Sequence, residues 1–448
     1  MNGEFTFKEI IFLAVPAIVS QAVIVFVALI GQLFIGQFGA LAISAVSISN
    51  NSCFAIYNFL EGIRTGTNVL TAKYLGAKNE KNIAGVLFLS LISAILVGGI
   101  VIIYAFFIKL NFSKIDPFYL IGNQQLRAVG DNFLFASLLG APFVLIFFAI
   151  TGFFRGLKDS INPLHLTLVV VVVDIILNYL FIMGFGGYFN FKLGVFGAAL
   201  ASFLSYVLGA VFCFIFLFRK KLTKKYTNFV SISSDLRKEY IKLVVEIGAY
   251  AGLLMLAFMF FIKIFQHLDA VSFASFNIIF NILIIISLPP MGFLIAAVTM
   301  ASKFAGEDRL DLIKPLTYKI SLIALIFSSF FSLMLLCFPS YVAYLFSPKD
   351  LHVQALTART LWFVAGTNIF STVYLVLRGI LTGIKDTRFI VFEGLFSSFV
   401  LFLPTAYFLG IKMHFGLWGG YAAYFVWTIA DCLFFSWRFF VVTKKKDL

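Results

Sequence analysis

Asp174 is the residue of this sequence best placed to do chemistry. It stands inside the apolar run Val169 to Leu177, with no other ionisable side chain between His165 and Tyr179. A carboxylate in such surroundings needs a reason to be there, because burying its charge unpaired is costly. It can bind and release a proton, or hold a cation through its oxygens. Asn178 follows at i+4 and shares its helical face. Ser202, in the next apolar run, adds a hydroxyl. Acid, amide and hydroxyl make a small oxygen cluster. The competing reading is a carboxylate that only bonds two helices together.

Other charges lie in apolar runs. Glu61 and Arg64, at i,i+3, are expected to neutralise each other, with a gating pair as the second reading. Arg127 and Asp131, at i,i+4, are expected to form an interfacial pair. Asp431 has Trp427 one turn away and Arg438 two turns on. Two readings stay open for it: a ligand or coupling group, and a buried pair with Arg438. Glu393 lies five residues past Arg388 and is expected to reach the interface. Glu246 is expected to open a helix, where an acid suits the dipole. Arg378 is expected near the cytoplasmic surface. Gln21, Gln32 and Tyr57 are candidates to line a cavity, against interhelical bonding. Catalysis finds no support. His165, His267, His352 and His414 fall in separate regions, and Cys53, Cys213, Cys337 and Cys432 are scattered singly.

The elements that must position these residues follow from composition. Of 448 residues, 61% are apolar and 12% charged, against about 25% charged in soluble domains. Mean hydropathy is +1.02. A soluble enzyme, a disordered chain and a nucleic-acid-binding domain are excluded, and most of the chain must face lipid. Residues 1–9 lack the pattern of a cleaved signal, so the first apolar run is expected to stay as a span. The pattern predicts twelve transmembrane helices: about 10–35, 41–72, 82–108, 125–154, 163–184, 195–218, 243–268, 270–302, 315–338, 352–381, 389–409 and 416–442. Loops on one side carry 23 Lys and Arg, and those on the other carry six. That asymmetry puts both termini in the cytoplasm and accounts for the net charge of +14 without a nucleic-acid partner.

The chain also repeats itself. Lys73-Tyr74-Leu75-Gly76 resembles Lys303-Phe304-Ala305-Gly306. Gly156-Leu157-Lys158-Asp159-Ser160 resembles Gly383-Ile384-Lys385-Asp386-Thr387. Gly194-Val195-Phe196-Gly197-Ala198 resembles Gly416-Leu417-Trp418-Gly419-Gly420. The offsets are 230, 227 and 222 residues, and six helices separate equivalent points. The fold class is therefore an all-α polytopic membrane protein of two six-helix bundles related by a pseudo-two-fold axis. The expected lobes are 1–218 and 243–448, joined by a basic linker at 219–242 with an amphipathic surface helix after Ser233.

These residues carry a resemblance. Gly156 to Ser160 followed by Pro163 resembles the cytoplasmic turn between helices four and five of the multidrug and toxic compound extrusion (MATE) transporters. Gly184 to Gly187 followed by Gly194 to Ala199 resembles their fifth-to-sixth helix connection. Val15-Pro16 and Gly36 to Gly39 also fit, and the DNA-damage-inducible F branch is the nearest in likeness. The resemblance implies a secondary antiporter of the cell inner membrane. It would export cationic or amphipathic drugs and toxic organic compounds in exchange for H+ or Na+ by alternating access. Its expected partners are a small organic molecule and membrane lipid, and no nucleic acid. It would act as a monomer, with no cofactor beyond the coupling ion. In prokaryotic members an Asp of helix one, an Asn and an Asp of helix five and a Thr of helix six form a cation site. The helix-one Asp falls here on Gly31, the Asn on Asp174, the Asp on Asn178 and the Thr on Ser202. Acid and amide have exchanged places, and one carboxylate is missing. The family also places acids in helices seven, eight and ten; helix eight offers only Asn277 and Asn281, which join Asp431 as cavity candidates. The alternative is a flippase for a lipid-linked saccharide, on the same broad fold. That activity calls for a basic cavity, whereas the central helices here offer an acid and amides.

Overall fold

The structure, a computed structural model, describes residues 6–110, 124–183, 193–228, 230–266 and 269–444. Backbone in lipid must satisfy its own hydrogen bonds, and a helix does so locally. Every regular element among the described residues is helical. The first half holds α1 (Phe7–Gly36), α2 (Ala40–Gly76), α3 (Glu80–Lys109), α4 (Gln124–Leu139), α5 (Ala141–Gly156), α6 (Ile161–Asn178) and α7 (Gly194–Arg219). A short α8 (Lys221–Lys224) leads to α9 (Ser234–Gln266), α10 (Ala270–Ile286) and α11 (Leu288–Gly306). Then come α12 (Ile313–Cys337), α13 (Pro339–Phe346), α14 (Leu351–Gly383), α15 (Thr387–Phe396), α16 (Leu403–Tyr407) and α17 (Gly416–Lys444). π-helical turns follow α6 (Tyr179–Met183), α15 (Ser397–Phe402) and α16 (Phe408–Lys412).

Each expected span has its helical counterpart. Among the described residues, ten helices are long and apolar enough to cross a membrane, and the α4/α5 pair, bent by 44°, makes eleven. The polar α2 carries Asn50, Asn51, Asn58, Glu61 and Arg64 and is not among them. Pro16 lies within a continuous α1. The run expected at 270–302 forms two helices, and Pro289 and Pro290 stand in the first turn of the second. They open α11 after a break at Ser287, where the N–H groups that prolines lack are not needed.

The duplication is visible in the backbone. The α2 and α11 repeats end in left-handed residues Lys78 (φ 54°) and Asp308 (φ 57°); the α5 and α14 repeats end in Lys158 (φ 64°) and Lys385 (φ 65°). The third repeat opens on Gly194 (φ 59°) and Gly416 (φ 56°). Closing bonds match too: Asp159 N–H donates to Phe154 O at 3.0 Å, and Asp386 N–H to Leu381 O at 2.9 Å. This is a helix end that glycine usually occupies. Left-handed backbone costs a side-chain-bearing residue about 1–2 kcal/mol, most when the side chain is β-branched. Lys78→Val is therefore expected to be about 1–2 kcal/mol less stable than Lys78→Gly. Thermal unfolding of the two purified proteins measures this, and equal midpoints would show the turn to be unstrained.

Packing forms two units, 19–248 and 1–18 with 249–448. These bounds differ from lobes at 1–218 and 243–448 because two helices change unit partway. Ile10, Leu13 and Ala14 of α1 pack with Phe293, Ala296 and Ala297. In the other unit α2 and α9 touch backbone to backbone. A Cβ at Gly62 would stand 2.2 Å from Val244 O, and one at Gly248 would stand 2.4 Å from Phe59 O. The surface helix expected after Ser233 is not separate. Ser233 Oγ accepts from Leu236 N–H at 3.2 Å and starts α9, which runs into the apolar span. Its buried face of Leu236, Tyr240 and Leu243 continues without Gly or Pro up to Gly248. Glu246, expected to open a helix, lies instead about three turns inside α9.

Candidate functional site

The 19–248 unit brings Asp174, Asn178 and Ser202 together. Asp174 and Asn178 stand on α6 and Ser202 on α7. The Asn178 amide donates to Asp174 Oδ2 at 3.0 Å and to the Asp174 carbonyl at 2.8 Å. The Ser202 hydroxyl donates to Asp174 Oδ1 at 3.1 Å. Both carboxylate oxygens thus accept from neutral donors on two helices. Ser205 and Tyr206, on α7, lie within electrostatic reach. The π turn Tyr179–Met183 begins directly after Asn178, and such turns concentrate at functional sites. At Gly31 a Cβ would meet open space, so packing does not forbid an acid there.

Other residues divide between what was expected and what was not. Glu61 Oε1 and Arg64 Nη1 pair at 3.1 Å. Tyr57 donates to Ser137 O at 3.4 Å, joining α2 to α4. The amides of Asn277 and Asn281 donate to carbonyls one turn back, Phe273 O at 2.8 Å and Asn277 O at 2.9 Å. Gln21 is half-buried and Gln32 exposed. Asp131 is half-buried on α4. The Arg127 side chain, Gly184 to Gly187 and His267 lie outside the described residues.

Two expectations in the 249–448 unit are corrected. Arg438 does not pair with Asp431. It clamps Asp386 through two bonds, Nε to Oδ2 at 2.6 Å and Nη2 to Oδ1 at 3.0 Å. Asp386 lies in the turn after α14, where the pair keeps part of its hydration, and a bidentate fork suits arginine. Glu393 does not reach the interface. It is buried, facing Asp431, because α15 turns that side to α17 and the core. Arg378, half-buried five residues before the end of α14, donates to Tyr250 OH at 3.1 Å. The meeting of Glu393 with Asp431 was missed. Its one sequence signal was Ser397 at i+4 from Glu393, the spacing that marks Asp174 and Asn178.

Comparison with known proteins agrees with this architecture. The MatE family model matches residues 16–180 and again 250–408, once in each half. A probable multidrug resistance protein NorM of Bacillus licheniformis is 24% identical over 421 residues, covering 92% of this chain and 90% of its own length. A probable multidrug resistance protein YoeA of Bacillus subtilis is 25% identical over 306 residues, covering 67% and 65%. Among solved structures, an outward-facing multidrug resistance MATE family transporter of the MOP superfamily superposes with a TM-score of 0.88 at 19% identity, covering 98% of this chain and 96% of its own. A MOP superfamily transporter from Pyrococcus furiosus Vc1, described as having a binding pocket of reversed polarity, gives a TM-score of 0.85 at 18% identity, covering 98% and 96%. The chain repeats its helices, its turns and its family signature in the same two halves, and it belongs to the MatE family of multidrug and toxic compound extrusion transporters, as a multi-pass membrane protein and not an enzyme.

Proposed function

We propose that this protein exports cationic or amphipathic organic compounds in exchange for protons, by alternating access, through the cell inner membrane with both termini in the cytoplasm. The observation that carries the reading is Asp174, held inside an apolar span by the Asn178 amide and the Ser202 hydroxyl. Protons are favoured over Na+. A sodium ion needs several oxygen ligands, and here two N–H or O–H donors already point at the one carboxylate.

The chemistry of loading follows from the bonds. The ionised carboxylate accepts from both partners. A proton on Oδ1 turns that oxygen into a donor, and the Ser202 hydroxyl can rotate and accept it. A proton on Oδ2 faces the Asn178 N–H, which cannot accept, so that amide must turn away. Loading and unloading therefore re-sort the contacts of α6 with α7, next to a π turn.

Ethidium efflux from proteoliposomes tests the reading, with pH and Na+ gradients imposed separately. Efflux is expected to follow the pH gradient. Efflux driven by Na+ alone would overturn the choice of ion. No efflux under either gradient, in folded protein, would favour a lipid-linked saccharide as the substrate.

A further inference from the structure

A second acidic centre lies wholly inside the 249–448 unit. Glu393 on α15 and Asp431 on α17 face each other there. Glu393 is 5% exposed and Asp431 1%. Both oxygens of Glu393 and Oδ1 of Asp431 are buried with no hydrogen-bond donor. Buried polar atoms rarely stay unsatisfied, and charged ones least of all. Something has to satisfy these.

The surroundings narrow what that is. Arg378, on α14, is the cation within reach of both acids among the described residues, and its hydrogen bond goes to Tyr250 on α9. Ser397 stands one turn from Glu393; its oxygen accepts the Trp427 indole N–H at 3.1 Å, and its one hydroxyl proton, within reach of both acids, cannot serve all three oxygens. The remaining titratable neighbours, Tyr374 on α14 with Tyr424 and Cys432 on α17, bring no charge when neutral. Two carboxylates against one guanidinium leave one surplus negative charge in a buried site. A metal cation would meet the guanidinium's repulsion and few oxygen ligands. A proton removes the surplus and supplies the missing donor between two facing carboxylates.

A similar order of residues recurs in the two halves, about two turns earlier along the helix in the second: Asp174 lies 16 residues past Lys158, and Glu393 lies 8 past Lys385. On α6 the order is acid, polar residue at i+4, π turn: Asp174, Asn178, Tyr179–Met183. On α15, which follows the matching repeat motif, the order recurs as Glu393 and then Ser397, where the π turn Ser397–Phe402 begins. In each half the partner comes from the next long helix, Ser202 on α7 and Asp431 on α17. The centre in the 249–448 unit has a second acid where the Asp174 cluster has a hydroxyl.

We propose that Glu393 and Asp431 share one exchangeable proton, which gives the 249–448 unit a proton-binding site of its own, and that this proton is exchanged during transport. The exchange during transport rests on the export reading; the binding of the proton does not.

Infrared spectra of the purified protein test the site without any substrate. In Asp174→Asn protein, a buried carboxylic-acid absorption is expected at neutral pH and is expected to be lost on adding Glu393→Gln or Asp431→Asn. Absence of that absorption, or its survival in both variants, overturns the proposal. If the amide variants do not fold, the exchanged pair Glu393→Asp with Asp431→Glu is used. A shifted absorption is expected, and an unshifted one overturns the assignment. Ethidium export under a pH gradient then tests the exchange. Glu393→Gln and Asp431→Asn, in an otherwise unaltered chain, are each expected to lower the accumulation ratio about tenfold at a pH difference of one unit, the worth of one exchanged proton. Wild-type export in both overturns the transport role. Export that survives Asp174→Asn and fails in Glu393→Gln supports this site and overturns the reading of Asp174.

Discussion

Asp174→Asn is expected to fold and to lose the gradient-driven export that is coupled through this site. One pH unit is worth about 1.4 kcal/mol per proton. One-for-one exchange of a proton with a monovalent organic cation can therefore sustain about a tenfold concentration ratio across the membrane per pH unit. An amide at position 174 binds no proton at physiological pH, so through this site the ratio should fall to about one. The fold should survive. Asn keeps an oxygen to accept from Ser202, and the bond from Asn178 to the residue-174 carbonyl, 2.8 Å in the wild type, does not involve the altered atoms. The contact with Oδ2 becomes amide against amide, for a loss of about 1 kcal/mol. Ethidium accumulation at several imposed pH differences measures the outcome. A variant that keeps the wild-type slope of accumulation against pH difference would show that Asp174 does not carry the coupling.

What the sequence made legible was local. The spans follow from apolar run length, and the two halves from three repeated motifs. Asp174 and Asn178 lie one turn apart on one helix, so their meeting needs no tertiary knowledge; Ser202 needed only the pairing of consecutive helices. Glu393 and Asp431 are separated by a turn and most of two helices, and which faces of α15 and α17 meet is decided by packing. Arg438 shows the same limit. Spacing along α17 offered Asp431, but Asp386 lies at the helix end, where a fork-shaped pair forms without burying both charges. The start of α9 was misread for another reason. Polar residues around Arg237 and Lys242 looked like a boundary, whereas the buried face through Leu236, Tyr240 and Leu243 crosses it.

The pair on α2 should behave unlike Asp174. Arg64 is 8% exposed, meets Glu61 at 3.1 Å and lies over the Phe148 ring at 3.9 Å. Arg155 on α5 is buried nearby, within electrostatic reach of both residues. A Cβ at Gly152 would stand 2.3 Å from Arg64 O, so α5 cannot move closer and the charges cannot rearrange by tightening. Glu61 is therefore the acid that offsets two embedded guanidinium groups. Breaking a buried pair by removing one partner costs about 3–5 kcal/mol. With the Glu61 side chain 32% exposed, the lower end of that range applies, and Glu61→Gln should cost about 3 kcal/mol. Adding Arg64→Gln removes the stranded charge and its repulsion with Arg155. The double variant should recover most of the loss and stay within about 1 kcal/mol of wild type, the remainder being the lost contact with Phe148. Thermal unfolding of both single variants and the double measures this order. If the pair only neutralises itself, the double variant should export ethidium at the wild-type rate. A folded double variant that does not export would make Glu61 and Arg64 a working part of the transport cycle, because charge balance alone would have been restored.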